Sequence, residues 1–312
     1  MSETILVIKL SALGDFIQAT GPMKAIRAAH PDARITLLTT PPFETMARST
    51  GWFDEIWTDG RPSWSNLGAV ARLIGRIRRT RFSRVYDLQT QGRTVRYFQL
   101  LWPRRPPWSG NAPGAAFEYS GAARDRLHVQ DSQREQLRIA GIEPVGPPDI
   151  GWLTGKADHR PPEPFALLVP GGAPHRPAKR WPAAQYGALA KALVGQGITP
   201  VVLGHGEQEA ALAATIQGVE PSAQVLVGKT SFGDIADLAR RATLVVGNDT
   251  GPAHIAIAAG APGVVLFSAE SNPALSAPRP IRQDQPVEIL RTDDLADLDL
   301  SAVLQAVGRI RP

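Results

Sequence analysis

Short, uninterrupted apolar runs recur along the chain, separated by stretches in which apolar residues return every three or four positions. The first run, ILVIKL at residues 5–10, has the pattern of a strand buried on both faces in a parallel sheet. A turn, Ser11-Ala12-Leu13-Gly14-Asp15, leads into a helical stretch expected to stop near His30, ahead of Pro31. RITLLTT (34–40) predicts a second strand, 66–79 an amphipathic helix and RVYDL (84–88) another strand. Residues 102–121 are rich in Pro, Gly and Trp and predict loop. Helical character resumes over 131–140.

The polar, proline-rich stretch GWLTGKADHRPPEP (151–164) suits an interdomain linker. The same alternation then restarts. Strands are expected at 165–169, 198–204, 224–228, 243–247 and 263–267, and helices at 182–195, 206–217, 231–241 and from about 300 to 309. Strands alternating with helices imply βαβ units and parallel sheets. The expected fold class is therefore α/β, with two Rossmann-like domains facing a central cleft. The boundaries are 1–155 for the first domain, 156–164 for the linker and 165–312 for the second. The last helix is a candidate to pack back on the first domain.

Composition narrows the function. The 312 residues include no cysteine, which excludes disulfides, thiolate catalysis and Cys-ligated metal. No apolar run approaches the roughly 20 residues that span a bilayer. The N-terminus lacks a basic segment followed by a long apolar one, which argues against a signal peptide. Lys and Arg number 34 against 29 Asp and Glu, a net charge of +5 that favours anionic partners. A nucleic-acid binder is disfavoured, since aromatic residues make up 6% of the chain and no helix-turn-helix or RNP motif is present. A nicotinamide oxidoreductase is disfavoured because GxGxxG does not follow the first strand.

In open parallel sheets ligands bind beyond the carboxyl ends of the strands, and four such loops carry chemistry. In the first, Asp15 stands at a helix start, either as a cap or as a general base for an acceptor hydroxyl. In the second, Pro170-Gly171-Gly172 precedes Lys179-Arg180-Trp181-Pro182. Glycines followed by cations and a helix N-terminus suit either phosphate binding or a solvated surface loop. The loop is no Walker A motif. In the third, GHGEQE (204–209) offers Glu207 and Glu209 as ribose ligands or as ordinary acidic residues of a helix first turn. In the fourth, GNDTGPAH (247–254), Gly247, Asp249, Thr250 and Gly251 can place backbone amides, a hydroxyl and a carboxylate around one diphosphate-sized ligand. Taken singly, Asp249 also suits a helix cap and His254 a satisfied polar residue.

The stretches ILVIKLSALGDFIQATGPMKAIRAAHP, PAKRWP and GNDTGPAHIAIAAGAP, in this order, resemble the ADP-heptose:lipopolysaccharide heptosyltransferases of glycosyltransferase family nine. YDLQTQGRTVRYFQLL and QREQLRIAGI look similar as well. The resemblance covers essentially the whole chain and implies a GT-B fold with the nucleotide held mainly by the C-terminal domain. It implies Asp15 as catalytic base. It implies donor contacts from Lys179, Arg180, Asp249, Thr250, Gly251, His254 and a glutamate of the third loop, for which Glu209 is preferred to Glu207. The Pro170–Trp181 loop lacks the Ser or Thr that some relatives place there, so backbone amides, Arg176 or Lys179 must cover that contact.

The implied reaction is inverting transfer of a heptose from ADP-heptose to a lipopolysaccharide inner-core acceptor, with no cofactor required; the alternative is a related family member that uses another nucleotide sugar or a non-lipopolysaccharide acceptor. Cations and a helix terminus can meet the diphosphate charge without a metal. Asp297-Leu298-Asp299 spells DxD but precedes the last helix, where Asp299 suits an N-cap. Gln89, Gln91 and Arg93, after a predicted strand, are candidate acceptor contacts or plain loop hydrogen bonders. Arg72, Arg76 and Arg79 share one face of the 66–79 helix, with Arg78, Arg81 and Arg84 close by. That face is either solvated or in contact with an anionic lipid head group. The implied partners are a nucleotide sugar and a lipid-linked saccharide, in the cytoplasm with peripheral contact at the inner membrane. No nucleic acid partner is expected.

Overall fold

In a computed structural model, which describes residues 3–173 and 175–311, the apolar runs become inner strands of two parallel sheets. Residues up to Trp152 form one unit and residues from Leu153 a second.

The first unit holds strands β1 (Thr4–Ile8), β2 (Arg34–Leu38), β3 (Glu55–Trp57), β4 (Arg84–Asp87), β5 (Trp108–Gly110) and β6 (Phe117–Glu118). Their order is β3-β2-β1-β4-β5-β6, and every pairing is parallel. Strand order therefore reverses between β1 and β4, which are neighbours in the sheet. Ile5 to Ile8 are fully buried, as a strand covered on both faces requires. Helices α1 (Leu13–Gln18), α2 (Thr20–Ala29), α3 (Glu44–Ser49), α4 (Leu67–Thr80), α5 (Gly92–Leu100) and α6 (Val129–Ile139) complete the unit.

Three departures from the sequence pattern have local causes. The single helix expected up to His30 is two, broken at Ala19. Pro22 lacks the N–H that an unbroken helix would direct to Gln18, and the Thr20 hydroxyl donates to Ile17 O at 2.7 Å across the break. The expected loop 102–121 contains β5 and β6, three and two residues long, too short to show a period of two. The strand expected at 224–228 is regular only over Gln224–Val225, although Leu226 N–H still donates to Val202 O (3.0 Å) and Gly228 N–H to Gly204 O (2.8 Å). Helix α4, by contrast, starts where its Asn66 cap predicts: Asn66 Oδ1 accepts from Ala69 N–H at 3.0 Å.

The second unit repeats the plan with β7 (Phe165–Val169), β8 (Thr199–Val202), β9 (Gln224–Val225), β10 (Leu244–Asn248), β11 (Gly263–Phe267) and β12 (Val287–Arg291). The order is β12-β11-β10-β7-β8-β9, again all parallel. Its reversal lies between β7 and β10. Helices α7 (Ala183–Val194), α8 (Gly206–Val219), α9 (Phe232–Arg241), α10 (Gly251–Ala258), α11 (Pro273–Ser276) and α12 (Leu300–Ile310) connect and cover the strands.

The start of the stretch expected as an interdomain linker is hydrogen-bonded to this unit. Gly155 N–H donates to Asp237 Oδ2 (2.7 Å), and the N–H groups of Lys156 and Ala157 donate to Asp234 Oδ1 (2.9 Å each). The last helix places Val303, Ala306, Val307 and Ile310 in the core of the second unit. Among the described residues no helix is long and apolar enough to cross a membrane.

Candidate functional site

Both units concentrate polar side chains where the strand order reverses. In the second unit the loops after β7 and β10 meet there. Gly247 pairs with Val169 across the two strands, and a Cβ at Gly247 would come within 2.8 Å of the Val169 Cβ. That close approach lets Asn248 reach the glycine loop. Asn248 is fully buried. Its Nδ2 donates to Pro170 O (2.9 Å) and Gly171 O (3.0 Å). Its Oδ1 accepts from Trp181 N–H (3.2 Å) and the Tyr186 hydroxyl (3.0 Å). One side chain thus fixes both ends of the 170–181 loop. Its place within GNDTGPAH gives no hint of this, because its partners lie in a distant part of the sequence.

Asp249 is the hub of the next shell. Its Oδ2 accepts from Lys179 Nζ (2.7 Å) and the Ser271 hydroxyl (2.8 Å), and its Oδ1 lies 3.1 Å from His254 Nε2. Burial acts to raise the Asp249 pKa. The hydrogen bond and charge of His254, then those of Lys179, outweigh it and hold the carboxyl below the usual carboxylate range. His254 is 5% exposed, and its Nδ1 is buried with no hydrogen-bond partner. Asp249 is not a helix cap, because Thr250 occupies that position in α10. The Thr250 hydroxyl donates to Asn248 O (3.2 Å), so no side chain caps the helix start, where Pro252 has no N–H and only the Gly251 and Ala253 amides of the first three residues can donate. Gly251 is the first residue of that helix.

Beside this network lies a cavity of about 290 Å³ lined by Gly171, Gly172, Gly204, Glu209, Thr250 and Pro252. Glu209 Oε2 accepts from His205 N–H at 2.7 Å, which turns the carboxylate toward the two glycine loops. A Cβ on Gly171 would collide with Glu209 Oε1, and one on Gly204 would lie 2.7 Å from Oε2. Glycine is needed at both positions to let the carboxylate in. Glu207 is exposed and does not line the cavity. Arg180 Nη2 donates to Gly172 O (3.0 Å) and Gln208 Oε1 (3.1 Å), so its guanidinium holds the glycine loop from the side. Asp299 occupies the N-cap position of α12 without a side-chain hydrogen bond to the helix start. Among the described residues no group of three or more His, Cys, Asp or Glu is arranged to hold a metal.

In the first unit the loop after β1 carries Asp15, the third residue of α1. The carboxylate is partly exposed, and Oδ2 accepts from Ala12 N–H at 3.2 Å. The acceptor candidates after β4 fall into two groups. Gln91 is exposed at the start of α5. Gln89 is 4% exposed and Arg93 is half-buried, and both are engaged within the unit. Arg93 Nη1 donates to Pro62 O (2.7 Å) and the Tyr97 hydroxyl (3.2 Å), with its guanidinium over the Trp64 ring. These two side chains brace loops, whatever else they touch.

Of the arginines on and near α4, three are engaged within the unit. Arg76 lies over the Trp57 ring and pairs with Glu55 (3.1 Å), Arg78 Nη2 donates to Leu100 O and Trp102 O, and Arg84 Nη1 donates to Ala140 O.

Two charged groups outside the four loop motifs lie beneath the Asp15 loop. Lys9 is the penultimate residue of the run ILVIKL and is only 3% exposed. A lysine inside an apolar run is the signal in the sequence, since a buried cation needs a partner. Asp87, at the end of β4, is fully buried. Burial raises its carboxyl to about 6, against the lowering effect of hydrogen bonds from Thr94, Thr90 and Gln89 and of the Lys9 charge. A carboxyl raised in the folded state favours folding below its unfolded value of 3.8 and loses that contribution as pH rises through about 6. The stability difference between wild type and Asp87→Asn is therefore expected to change by roughly 2 kcal/mol between pH 4 and pH 7. Urea denaturation across that range checks it, and a flat difference would refute it.

A profile of glycosyltransferase family 9 (heptosyltransferase) matches residues 130–293, more than half of the 312-residue chain. Over 104 residues the chain is 35% identical to lipooligosaccharide heptosyltransferase 2 of Haemophilus influenzae, a match that spans 32% of this chain and 30% of that relative's length. Among solved structures, glycosyl transferase family 9 from Veillonella parvula superposes with a TM-score of 0.76 at 20% identity, covering 99% of this chain and 97% of that one. The Escherichia coli ADP-heptose lipopolysaccharide heptosyltransferase II superposes with a TM-score of 0.75 at 20% identity, covering 99% and 98%. Likeness over nearly the full length establishes the shared fold, the two-sheet GT-B architecture of those proteins. The family profile, whose match includes the glycine loop, Glu209 and the GNDTGPAH segment, makes this chain a member of glycosyltransferase family 9, the heptosyltransferases.

Proposed function

We propose that the protein transfers a heptose from ADP-heptose to a hydroxyl of a lipopolysaccharide inner-core acceptor, with inversion at the anomeric carbon. The observation that carries this reading is the cavity between Gly171, Glu209 and Thr250, backed by the Lys179–Asp249–His254 network. Glu209 would accept hydrogen bonds from ribose hydroxyls. The uncapped start of α10 and Lys179 would meet the diphosphate. Asp15 takes the proton of the acceptor hydroxyl as its oxygen bonds to the anomeric carbon. The bond from that carbon to the phosphate oxygen breaks, and ADP leaves with the electron pair. Lys179, with Arg180 beside the loop, offsets the charge that develops on the leaving diphosphate. This reading calls for no metal.

The acceptor would meet the first unit, where Gln91 is exposed. The proposed setting is the cytoplasmic face of the inner membrane. A basic groove at the ends of α4 and α5, lined by Arg79, Arg81, Arg104 and Arg105, would face anionic lipid there.

A thermal-shift and calorimetric titration with ADP, UDP and GDP, with and without magnesium, tests the donor assignment. ADP at 100 times its dissociation constant is expected to stabilise the protein by about 2.7 kcal/mol, independently of magnesium. A preference for UDP or GDP would change the donor, and no response to any nucleotide would refute the site. Lys179→Ala is expected to weaken ADP about tenfold or more, since a charge-assisted contact is worth roughly 1.5–3 kcal/mol. Unchanged affinity in that variant would remove Lys179 from the donor site.

A further inference from the structure

The loop that carries Asp15 is gripped by two buried side chains that cross between neighbouring strands. Lys9 follows β1 and Gln89 follows β4, at the point where the strand order reverses. The parallel ladder ends there with Leu88 N–H donating to Ile8 O (3.0 Å) and Lys9 N–H donating to Leu38 O (3.0 Å). Beyond it the strands diverge, and the amides of Leu10 and Ser11 find a side chain instead. Gln89 Oε1 accepts from Leu10 N–H (2.8 Å) and from Ser11 N–H (3.2 Å). In the opposite direction, Lys9 Nζ donates to Leu88 O (3.2 Å). Each strand end thus holds the backbone of the other.

The brace is itself held from below. Asp87 Oδ1 accepts from Gln89 N–H (3.1 Å) and Thr90 N–H (3.0 Å), and Gln136 Nε2 donates to Asp87 O (3.0 Å). Thr90 has φ +46°, a left-handed conformation that a β-branched residue adopts only under constraint. Arg124 Nη2 donates to its hydroxyl (2.6 Å) and Asn111 Nδ2 to its carbonyl (3.1 Å). Helix α1 begins at Leu13, two residues after the gripped segment, so the position of Leu10–Ser11 sets where the Asp15 carboxylate stands.

We propose that Gln89, with Lys9 as its counterpart, is a positioning residue for Asp15, acting through the backbone of the loop between β1 and α1. The proposal rests on the reading of Asp15 as the general base. It assigns Gln89 a task distinct from touching the acceptor. An acceptor contact through the carboxamide would use its Nε2 as donor, whereas the brace uses only Oε1 as acceptor. The two tasks are separable by chemistry, because a glutamate keeps the acceptor and lacks the donor.

The test compares Gln89→Glu, Gln89→Leu and Lys9→Met with wild type in the full chain, using ADP-heptose and a Kdo–lipid A acceptor. Gln89→Leu and Lys9→Met are expected to lower kcat at least tenfold with the donor KM and the ADP dissociation constant unchanged. Gln89→Glu is expected to retain kcat within threefold. Equal loss in Gln89→Glu and Gln89→Leu would mean that the amide donor matters, and would overturn the brace. Full activity in Gln89→Leu would overturn it as well. Asp15→Asn run in parallel separates the two ideas. If it stays active, the base assignment fails. If it is inactive while Gln89→Leu is not, only the brace fails. Amide hydrogen exchange on wild type covers the case in which a variant does not fold. Leu10 and Ser11 should be protected despite lying beyond the ladder, and rapid exchange at both would refute the proposal.

Discussion

Asp15→Asn is expected to lower kcat for heptosyl transfer by roughly 10²–10⁴-fold, the usual contribution of a general base. The ADP dissociation constant should stay within about twofold of wild type, because the proposed nucleotide contacts come from residues of the other unit. Asparagine keeps the shape and the oxygen that accepts from Ala12 N–H, so the start of α1 is preserved. What disappears is the capacity to take the acceptor proton. Steady-state kinetics with calorimetry on the same preparation checks both halves. Loss of ADP binding would show that Asp15 acts on the donor or on the fold. Retained kcat would show that another group takes the proton.

The second large effect is expected at Asn248→Asp. The substitution keeps Oδ1, which accepts from Trp181 N–H and the Tyr186 hydroxyl. It replaces the amide that donates to Pro170 O and Gly171 O by a second carboxylate oxygen facing two carbonyls. Two buried acceptors lose their donor, and a negative charge enters a fully buried position. Together these should destabilise the second unit by roughly 3–5 kcal/mol. At 2–4 °C per kcal/mol for a domain of this size, the melting temperature should fall by about 10 °C. The released glycine loop forms one wall of the cavity that Glu209 enters, so ADP affinity should fall about tenfold or more. Differential scanning calorimetry and an ADP titration below the transition measure both. Unchanged ADP affinity in a folded Asn248→Asp protein would show that the loop does not depend on this residue.

Much of the candidate site is legible in the amino-acid sequence, for a reason specific to parallel sheets. Their inner strands are apolar on both faces, so they stand out as continuous runs, and the residues that follow each run are the loops at the carboxyl edge. Asp15, Lys179, Glu209 and the Asp249–His254 segment all stand out in that way. Which of Glu207 and Glu209 reaches the cavity does not follow from helical spacing alone, since both stand in the first turn of α8. The glycines at 171 and 204 make the room that the Glu209 carboxylate occupies. Gln89 and Arg93 stand where acceptor contacts are expected, yet their partners turn out to be Leu10, Ser11 and Pro62.

Local pattern alone points to the α/β class, to parallel sheets and to the loops that carry polar chemistry, and its short motifs carry the resemblance to the family. Each of these is written in apolar runs, glycine-rich turns and short motifs over ten or twenty neighbouring residues. Which side chains hold those loops in place is settled only in three dimensions. Lys9 meets Leu88 across 79 positions of chain, and Asn248 meets Pro170 across 78. The strand order brings such residues together at the point where it reverses. A hydrogen bond depends on distances of tenths of an ångström between groups that no local pattern relates.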